Sequence, residues 1–97
     1  MAGLFMAFRV RVKLPGCRTL KDRRAVVQGM VHTARDRHGF SASDLTHPLK
    51  IDYAEVGFAA VGQTEDEIRR RLDRLMATVE SEIDLLGIEE HIVDGGD

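Results

Sequence analysis

The sequence is poor in residues that crosslink, coordinate metals or stack on bases. Its 97 residues include one cysteine, Cys17, no tryptophan, four phenylalanines and one tyrosine. A single cysteine excludes a disulfide within the chain and a multi-cysteine zinc site. The four histidines share no metal-ligand spacing, so we expect neither a metal nor another cofactor. With so few aromatic side chains, base-by-base reading of single-stranded RNA is not expected.

Long apolar runs are also missing. No stretch approaches the about 18 apolar residues of a membrane span. The apolar segment Leu4–Phe8 ends at Arg9 and is too short for a signal-peptide core. We therefore expect no membrane partner and a cytoplasmic location. The length and the ordinary composition, 43% hydrophobic and 31% charged, predict a single domain over residues 1–97 with a flexible tail over 94–97.

The net charge of −2 hides an uneven distribution. Residues 1–39 carry nine basic and two acidic side chains, a charge of +7, whereas residues 40–97 carry five basic and fourteen acidic ones, a charge of −9. Such a division marks either a nucleic-acid face opposite an acidic one or complementary elements that neutralise one another in the fold. Both interpretations stay open at this point.

The basic residues concentrate near the beginning of the chain. Arg9, Arg11 and Lys13 alternate with apolar residues, and this period of two predicts a half-buried strand with the three cations on one solvent face. A second cluster follows a Pro-Gly turn, at the start of a predicted helix: Arg18, Lys21, Arg23 and Arg24. A positive surface near a helix N-terminus suits a polyanion.

The patterns of apolar residues and caps predict six elements. They are a strand over Leu4–Leu14, a helix from the cap Thr19 to Gly39, a short strand over 40–47, a strand over Ile51–Val61, a helix from the cap Thr64 to Gly87, and a strand over Ile88–Val93. The apolar stripes predicted for the helices are Leu20, Val27, Met30, Val31 and Ala34, and then Ile68, Leu72, Leu75, Met76, Val79, Ile83 and Leu86. This order predicts the α+β ferredoxin-like βαββαβ sandwich, a four-stranded antiparallel sheet with two helices on one face.

Two segments carry a resemblance to a known family. The run from Leu14-Pro15-Gly16 through Thr19-Leu20-Lys21-Asp22-Arg23-Arg24 resembles the opening signature of the YlxP-like family of small bacterial proteins, a domain of unknown function. The later run Tyr53–Val61 resembles the third strand of that family. The resemblance implies a ferredoxin-like fold, no established activity, and a gene neighbourhood of translation and ribosome-maturation factors. It carries over no catalytic residues, only the basic motif at Lys21, Arg23 and Arg24.

These observations lead to two functional hypotheses. The preferred one is an accessory protein that contacts RNA or a ribosomal subunit through Arg9, Arg11, Lys13 and the helix-start cluster. Its structural alternative pairs the strand cations with Glu55 and with Glu89 or Glu90, and buries the stem of Arg23. The second hypothesis is a homodimeric interaction module whose open sheet face self-associates through Phe5, Ala7, Tyr53 and Ala59.

An enzyme is not expected from the sequence. The Pro15–Arg18 turn only faintly echoes the phosphate cradle of acylphosphatases, which have the same fold class, and the chain contains no asparagine to orient water. Cys17 has no histidine neighbour in sequence to act as a base. We therefore predict no catalytic residues.

Overall fold

The computed structural model describes residues 3–94. Of the tail predicted over 94–97, Asp94 is the last residue of a strand, and 95–97 lie outside the described residues. The elements are β1 (Leu4–Lys13), α1 (Leu20–His38), β2 (Ser41–Asp44), β3 (Tyr53–Gly62), α2 (Glu65–Val79), a 3₁₀ turn (Glu80–Glu82) and β4 (Asp84–Asp94). The strands form one antiparallel sheet in the order β2-β3-β1-β4. The predicted βαββαβ order and ferredoxin-like fold are confirmed.

The alternation of β1 and β3 divides the sheet into two faces. One face belongs to the core, where Met6, Phe8 and Val10 of β1 and Val56 and Phe58 of β3 are at most 2% exposed. Phe40 joins Phe8 and Phe58 there, at ring-centroid distances of 6.3 and 5.9 Å. The other face carries the polar residues of both strands and no helix, as the alternation predicts.

Local capping fixes where both helices begin. The Thr19 hydroxyl accepts the Asp22 N–H at 3.0 Å while the Asp22 carboxylate accepts the Thr19 N–H, which completes the predicted capping box. Thr64 accepts the Glu67 N–H at 3.1 Å and begins α2 in the same way. Helix α1 ends at Gly39, whose positive φ of 70° suits glycine.

The end of α2 was predicted wrongly. The helix stops at Val79, and the segment expected to continue it to Leu86 instead makes the 3₁₀ turn and the first residues of β4. Strand β4 pairs with β1 along its whole length. If α2 continued to Leu86, the backbone N–H and C=O groups of β1 opposite the first residues of β4 would lose their partners. The extra residue that this pairing contains lies in a bulge opposite Arg11 and Val12.

Three smaller expectations also change. Strand β2 is only four residues long, because the Asp44 carboxylate accepts the Thr46 N–H and turns the chain away. Leu20, predicted in the core stripe of α1, is 48% exposed, and Arg23 is buried instead. Strand β4 is an edge without helical cover: its helix-side residues Ile88 and Ile92 are 43% and 40% exposed.

Candidate functional site: the open sheet face

The open face is built from the outward residues of three long strands. The register of β1 with β3 and β4 sets Phe5 between Val61 and Val93, Ala7 between Ala59 and His91, Arg9 between Gly57 and Glu89, Arg11 between Glu55 and Gly87, and Lys13 between Tyr53 and Asp84. Residues directly opposite one another in an antiparallel pair point to the same side. The face is therefore apolar at the Phe5 end and charged at the Lys13 end.

The apolar end is exposed to solvent. Phe5, Val61 and Val93 are 55%, 59% and 61% exposed, and they lie side by side across three strands. Ala7 and Ala59 continue this surface toward the middle of the sheet. The structure thus brings together three of the four residues predicted for self-association.

Tyr53, the fourth of these residues, lies at the opposite end of the face. Its partner across the sheet is Lys13, and the Lys50 ammonium lies 5.6 Å from its ring centroid. Tyr53 therefore belongs to the charged end and adds no area to the apolar patch.

A groove of about 470 Å³ crosses the middle of the face. Small residues, Ala7, Gly57 and Ala59, lie along it, and Leu45, Arg9 and His91 border it. A Cβ on Gly57 would come within 2.7 Å of Leu45 Cδ1, so glycine is what lets Leu45 lie against the sheet. No sequence pattern indicated this groove, because Leu45 follows a strand too short to predict with its neighbours.

The cations of β1 share this face with an equal number of carboxylates. Arg9 forms an ion pair of 2.7 Å with Glu55, as the structural alternative predicted. The guanidinium of Arg11 lies over Gly87, where a Cβ would approach Nη2 to 2.6 Å. Across the sheet, Glu89 faces Arg9 and Asp84 faces Lys13. The row is therefore mixed in charge.

Glu90 does not join this row, contrary to one alternative considered above. It lies on the helix side of β4 and accepts two hydrogen bonds from Arg69 of α2, at 3.0 and 2.6 Å. These bonds hold the pKa of Glu90 below its usual value despite partial burial. The neighbouring arginines Arg70 and Arg71 pair with Asp66 and Glu67 four residues earlier, so these basic residues of α2 are paired within the helix.

Arg23 is removed from the predicted anion-binding set. Its side chain is 5% exposed, and its Nη1 lies 2.9 Å from Asp44 Oδ2. Its Nη2 donates to the hydroxyl of Thr46 at 2.8 Å. Thr46 in turn accepts the backbone N–H of Glu55 in β3. Arg23 thus ties α1 to the β2–β3 connection, and the partners it needs lie 21 and 23 residues away in sequence.

Three main-chain donors at the start of α1 are occupied by side chains of the protein itself. The Asp22 carboxylate accepts the N–H groups of Arg18 and Thr19 at 3.0 and 3.2 Å. The hydrogen bond from Arg18 and those from Thr19 hold the pKa of Asp22 below its usual value. An anion at this turn would compete with the protein's own carboxylate. The exposed side chains of Arg18, Lys21 and Arg24 remain, and none has an ion-pair partner among residues 3–93.

Cys17 is buried and unreactive by its surroundings. It is 8% exposed, and burial together with the nearby charge of Asp22 raises the pKa of its thiol. A raised pKa disfavours the thiolate, which is the nucleophilic form.

Within residues 3–94, no group of three histidine, cysteine or acidic side chains is arranged to hold a metal ion. No helix of that region is long and apolar enough to cross a membrane.

Solved structures share this fold at low sequence identity. A protein from Chloroflexus aurantiacus J-10-fl, described as a "putative Antibiotic biosynthesis monooxygenase", matches with a TM-score of 0.60 and 17% identity over 96% of each chain. The C-terminal domain LarC2 of a cyclometallase involved in the synthesis of the NPN cofactor of lactate racemase matches with a TM-score of 0.54 and 10% identity, over 99% of this chain and 58% of the other. The de novo designed protein Foldit4 matches at 0.50 and 13%, over 94% and 96%.

These similarities correct the exclusion of an enzyme. The absence of a familiar catalytic constellation does not exclude an enzyme, because a protein described as a putative monooxygenase has this fold over nearly its whole chain. At 17% identity the similarity shows the fold and assigns no reaction to this chain. The prediction of a non-enzyme is withdrawn.

The family comparison covers more of the sequence than any single motif. No curated protein matches the chain. The model of the family "Protein of unknown function (DUF503)" matches residues 5–92, which include both helices, β2, β3 and all but the end residues of β1 and β4. This chain therefore belongs to the DUF503 family of proteins of unknown function.

Proposed function

We propose that this protein is an interaction module that pairs with a second copy of itself through the open sheet face. The observation that carries the proposal is the apolar end of that face, where Phe5, Val61 and Val93 are each more than half exposed. Contiguous exposed apolar surface on a folded domain marks a place that another surface covers. Ala7 and Ala59 extend it with side chains small enough to permit close approach.

The charge balance of the face favours a second copy over a polyanion. Arg9, Arg11 and Lys13 are matched on the same face by Glu55, Asp84 and Glu89. A surface that binds a phosphate backbone needs surplus positive charge. A two-fold interface instead needs a patch that complements itself, and a mixed row of both signs meets that condition.

The size of the face is adequate for a weak to moderate dimer. Ten-residue strands such as β1 and β3 extend about 33 Å, and four strands at about 4.8 Å spacing cover nearly 20 Å. The flat area is roughly 600 Å² before side-chain relief is counted, which is of the order of the roughly 800 Å² per partner in standard interfaces.

The test is the mass in solution of the protein and two matched variants. Size-exclusion chromatography with light scattering over a concentration series should show a dimer for the unmodified protein. Phe5→Lys places a charge in the apolar end and should yield a monomer. Leu20→Lys changes a similarly exposed apolar residue, 48% exposed on α1, and should leave the dimer intact. A mass that stays monomeric at every concentration contradicts the proposal.

A second candidate is contact with RNA or a ribosomal subunit, which the YlxP-like resemblance implies. The observation that favours it is the group Arg18, Lys21 and Arg24 at the start of α1, whose side chains have no ion-pair partner among the described residues. A short turn separates this group from Lys13, which lies at the charged end of the sheet. The mixed charges on the face itself add little to this candidate, so the binding surface would be the helix start. A cytoplasmic location remains part of the same prediction.

A further inference from the structure

A second cavity lies away from the open face, between α1 and β2. It has a volume of about 410 Å³, which is within the range of small-molecule sites. The helix contributes Arg23, Arg24 and Arg35, and β2 contributes Asp44. This cleft is independent of the face proposed for self-association, because α1 lies on the opposite side of the sheet.

The cleft carries surplus positive charge. Its one carboxylate, Asp44, is already engaged by Arg23 at 2.9 Å. Arg35 uses one nitrogen, Nη2, to donate to the Ala42 carbonyl at 2.8 Å, which leaves its other donors for a ligand. Arg24 has no ion-pair partner among residues 3–93. Guanidinium groups of this kind bind carboxylate or phosphate oxygens in a bidentate geometry.

Arg23 adds a further positive charge to the wall of the cleft. Its side chain is 5% exposed and lines the cleft, and its Nη1 is paired with Asp44. Its buried Nε has no hydrogen-bond partner among the described residues. Arg23 therefore contributes charge to the cleft, while Arg24 and Arg35 offer the donors that a ligand can reach.

The remaining walls of the cleft are apolar. Val27 and Val31 of α1 line it, and Leu20 and Leu49 border it while 48% and 56% exposed. An inorganic anion would leave these side chains uncovered. A ligand that carries an apolar group beside its charge would cover them and bind more tightly for that reason.

We infer that this cleft is a binding site for a small amphipathic organic anion, a carboxylate or phosphate monoester that bears an apolar group. Its charged head contacts Arg24 and Arg35, and its apolar group lies against Leu20, Val31 and Leu49. The two possible heads share the chemistry that the arginines recognise, and the choice of probes separates them.

The test is a titration of the isotope-labelled full chain with hexanoate, phenyl phosphate, inorganic phosphate and hexanol, followed by amide NMR shifts and calorimetry. Hexanoate or phenyl phosphate should shift the amides of α1 and β2 saturably, and the tighter of the two identifies the head. Inorganic phosphate and neutral hexanol should each bind at least about 10-fold more weakly, because each lacks one half of the recognised chemistry.

Four variants make the test decisive. Arg24→Gln and Arg35→Gln should each weaken binding by about 10-fold or more, since each removes a charged hydrogen-bond donor. Gln28→Phe fills the cleft without changing its charge and should block binding. Arg37→Gln removes the same charge from the same helix outside the cleft and should leave affinity within about 2-fold. The inference is overturned if neither organic anion binds saturably, or if Arg37→Gln weakens binding as much as the cleft variants.

Discussion

The guanidinium of Arg23 is buried against Asp44 and Thr46, at the contact between α1 and the β2–β3 connection. Arg23 is also a member of the basic cluster Arg18, Lys21, Arg23 and Arg24. Burial opposes ionisation of Asp44, but the hydrogen bonds from Arg23 and Thr46 outweigh it and hold the pKa of Asp44 below its usual value of 3.8. The cluster therefore contains one structural cation and three exposed ones.

This pair predicts a measurable pH dependence. Arg23→Met should lower the free energy of unfolding at pH 7 by roughly 2–3 kcal/mol, less than the about 3–5 kcal/mol of a fully buried pair, since the Asp44 side chain is 34% exposed. Because the pKa of Asp44 is depressed by folding, its contribution is complete above the unfolded-state pKa and is lost as pH falls through the folded-state pKa. The difference between the two proteins should therefore shrink below about pH 4.

Urea denaturation of both proteins between pH 3 and pH 7 checks this prediction. Other carboxylates with lowered pKa values, such as Glu67 and Glu90, affect both proteins equally and cancel in the difference. A difference that stays constant over this range would show that Arg23 acts by packing alone.

The positions of Arg23 and Arg9 illustrate what sequence can and cannot predict at this scale. Strand parity places Arg9 and Glu55 on the same face of the sheet, and the register of β1 with β3 brings them close together. Their pairing was therefore foreseeable. Helical projection likewise placed Arg23 near the apolar stripe of α1. Its partner Asp44 was not foreseeable, because it depends on how a four-residue strand and its turn dock against the helix.

At the level of elements, the start of α1 depends on two reciprocal hydrogen bonds between Thr19 and Asp22. Thr19→Ala removes the oxygen that satisfies the Asp22 N–H and should lower the free energy of unfolding by about 1 kcal/mol. The control is Thr78→Ala, an exposed position in the last turn of α2 whose hydroxyl donates to the Arg74 carbonyl; alanine there should be neutral or slightly stabilising. Chemical denaturation distinguishes the two, and equal effects would contradict a capping role.

Elements with strong local signals were predicted well, and those decided by distant partners were not. Caps at Thr19 and Thr64 and the alternation of β1 carry their information within a few residues, so the starts of these three elements are confirmed. The end of α2 depends on β4 pairing with β1, which is more than seventy residues earlier in the chain. Leu86 continues the helical period of α2, but it lies in a strand because β4 pairs with β1.

For the molecule as a whole, the division of charge along the chain is partly internal. Arg9 with Glu55 and Arg23 with Asp44 each join the basic first part to the acidic second part. The open face and its row of cations could be predicted from topology, but its neutrality could not, because it depends on the register of β4. The exposed group Arg18, Lys21 and Arg24 forms no ion pair within residues 3–93 and concentrates unpaired charge at the start of α1.

This surplus leads to a prediction for RNA binding. The variant with Arg18, Lys21 and Arg24 all changed to Glu should lose co-sedimentation with ribosomal subunits at physiological salt by at least about 10-fold, since several phosphate contacts are removed together. The matched control changes Arg37, Arg70 and Arg74 to Glu, an identical change in net charge at other exposed positions. Equal loss in both variants, or binding to every RNA that vanishes with salt, would indicate only general attraction to phosphate.

The uncovered edge of β4 bears on how large an assembly of this chain can become. A free strand of eleven residues with exposed Ile88 and Ile92 is a template on which another sheet can grow. Yet antiparallel pairing of two β4 strands over their full length would place Glu89 directly opposite its own copy, two like charges at the centre of the contact. This repulsion opposes growth along the edge. In the proposed dimer, each open face is covered by the face of one partner and cannot bind a third copy. The proposed dimer is therefore a closed particle that does not grow further.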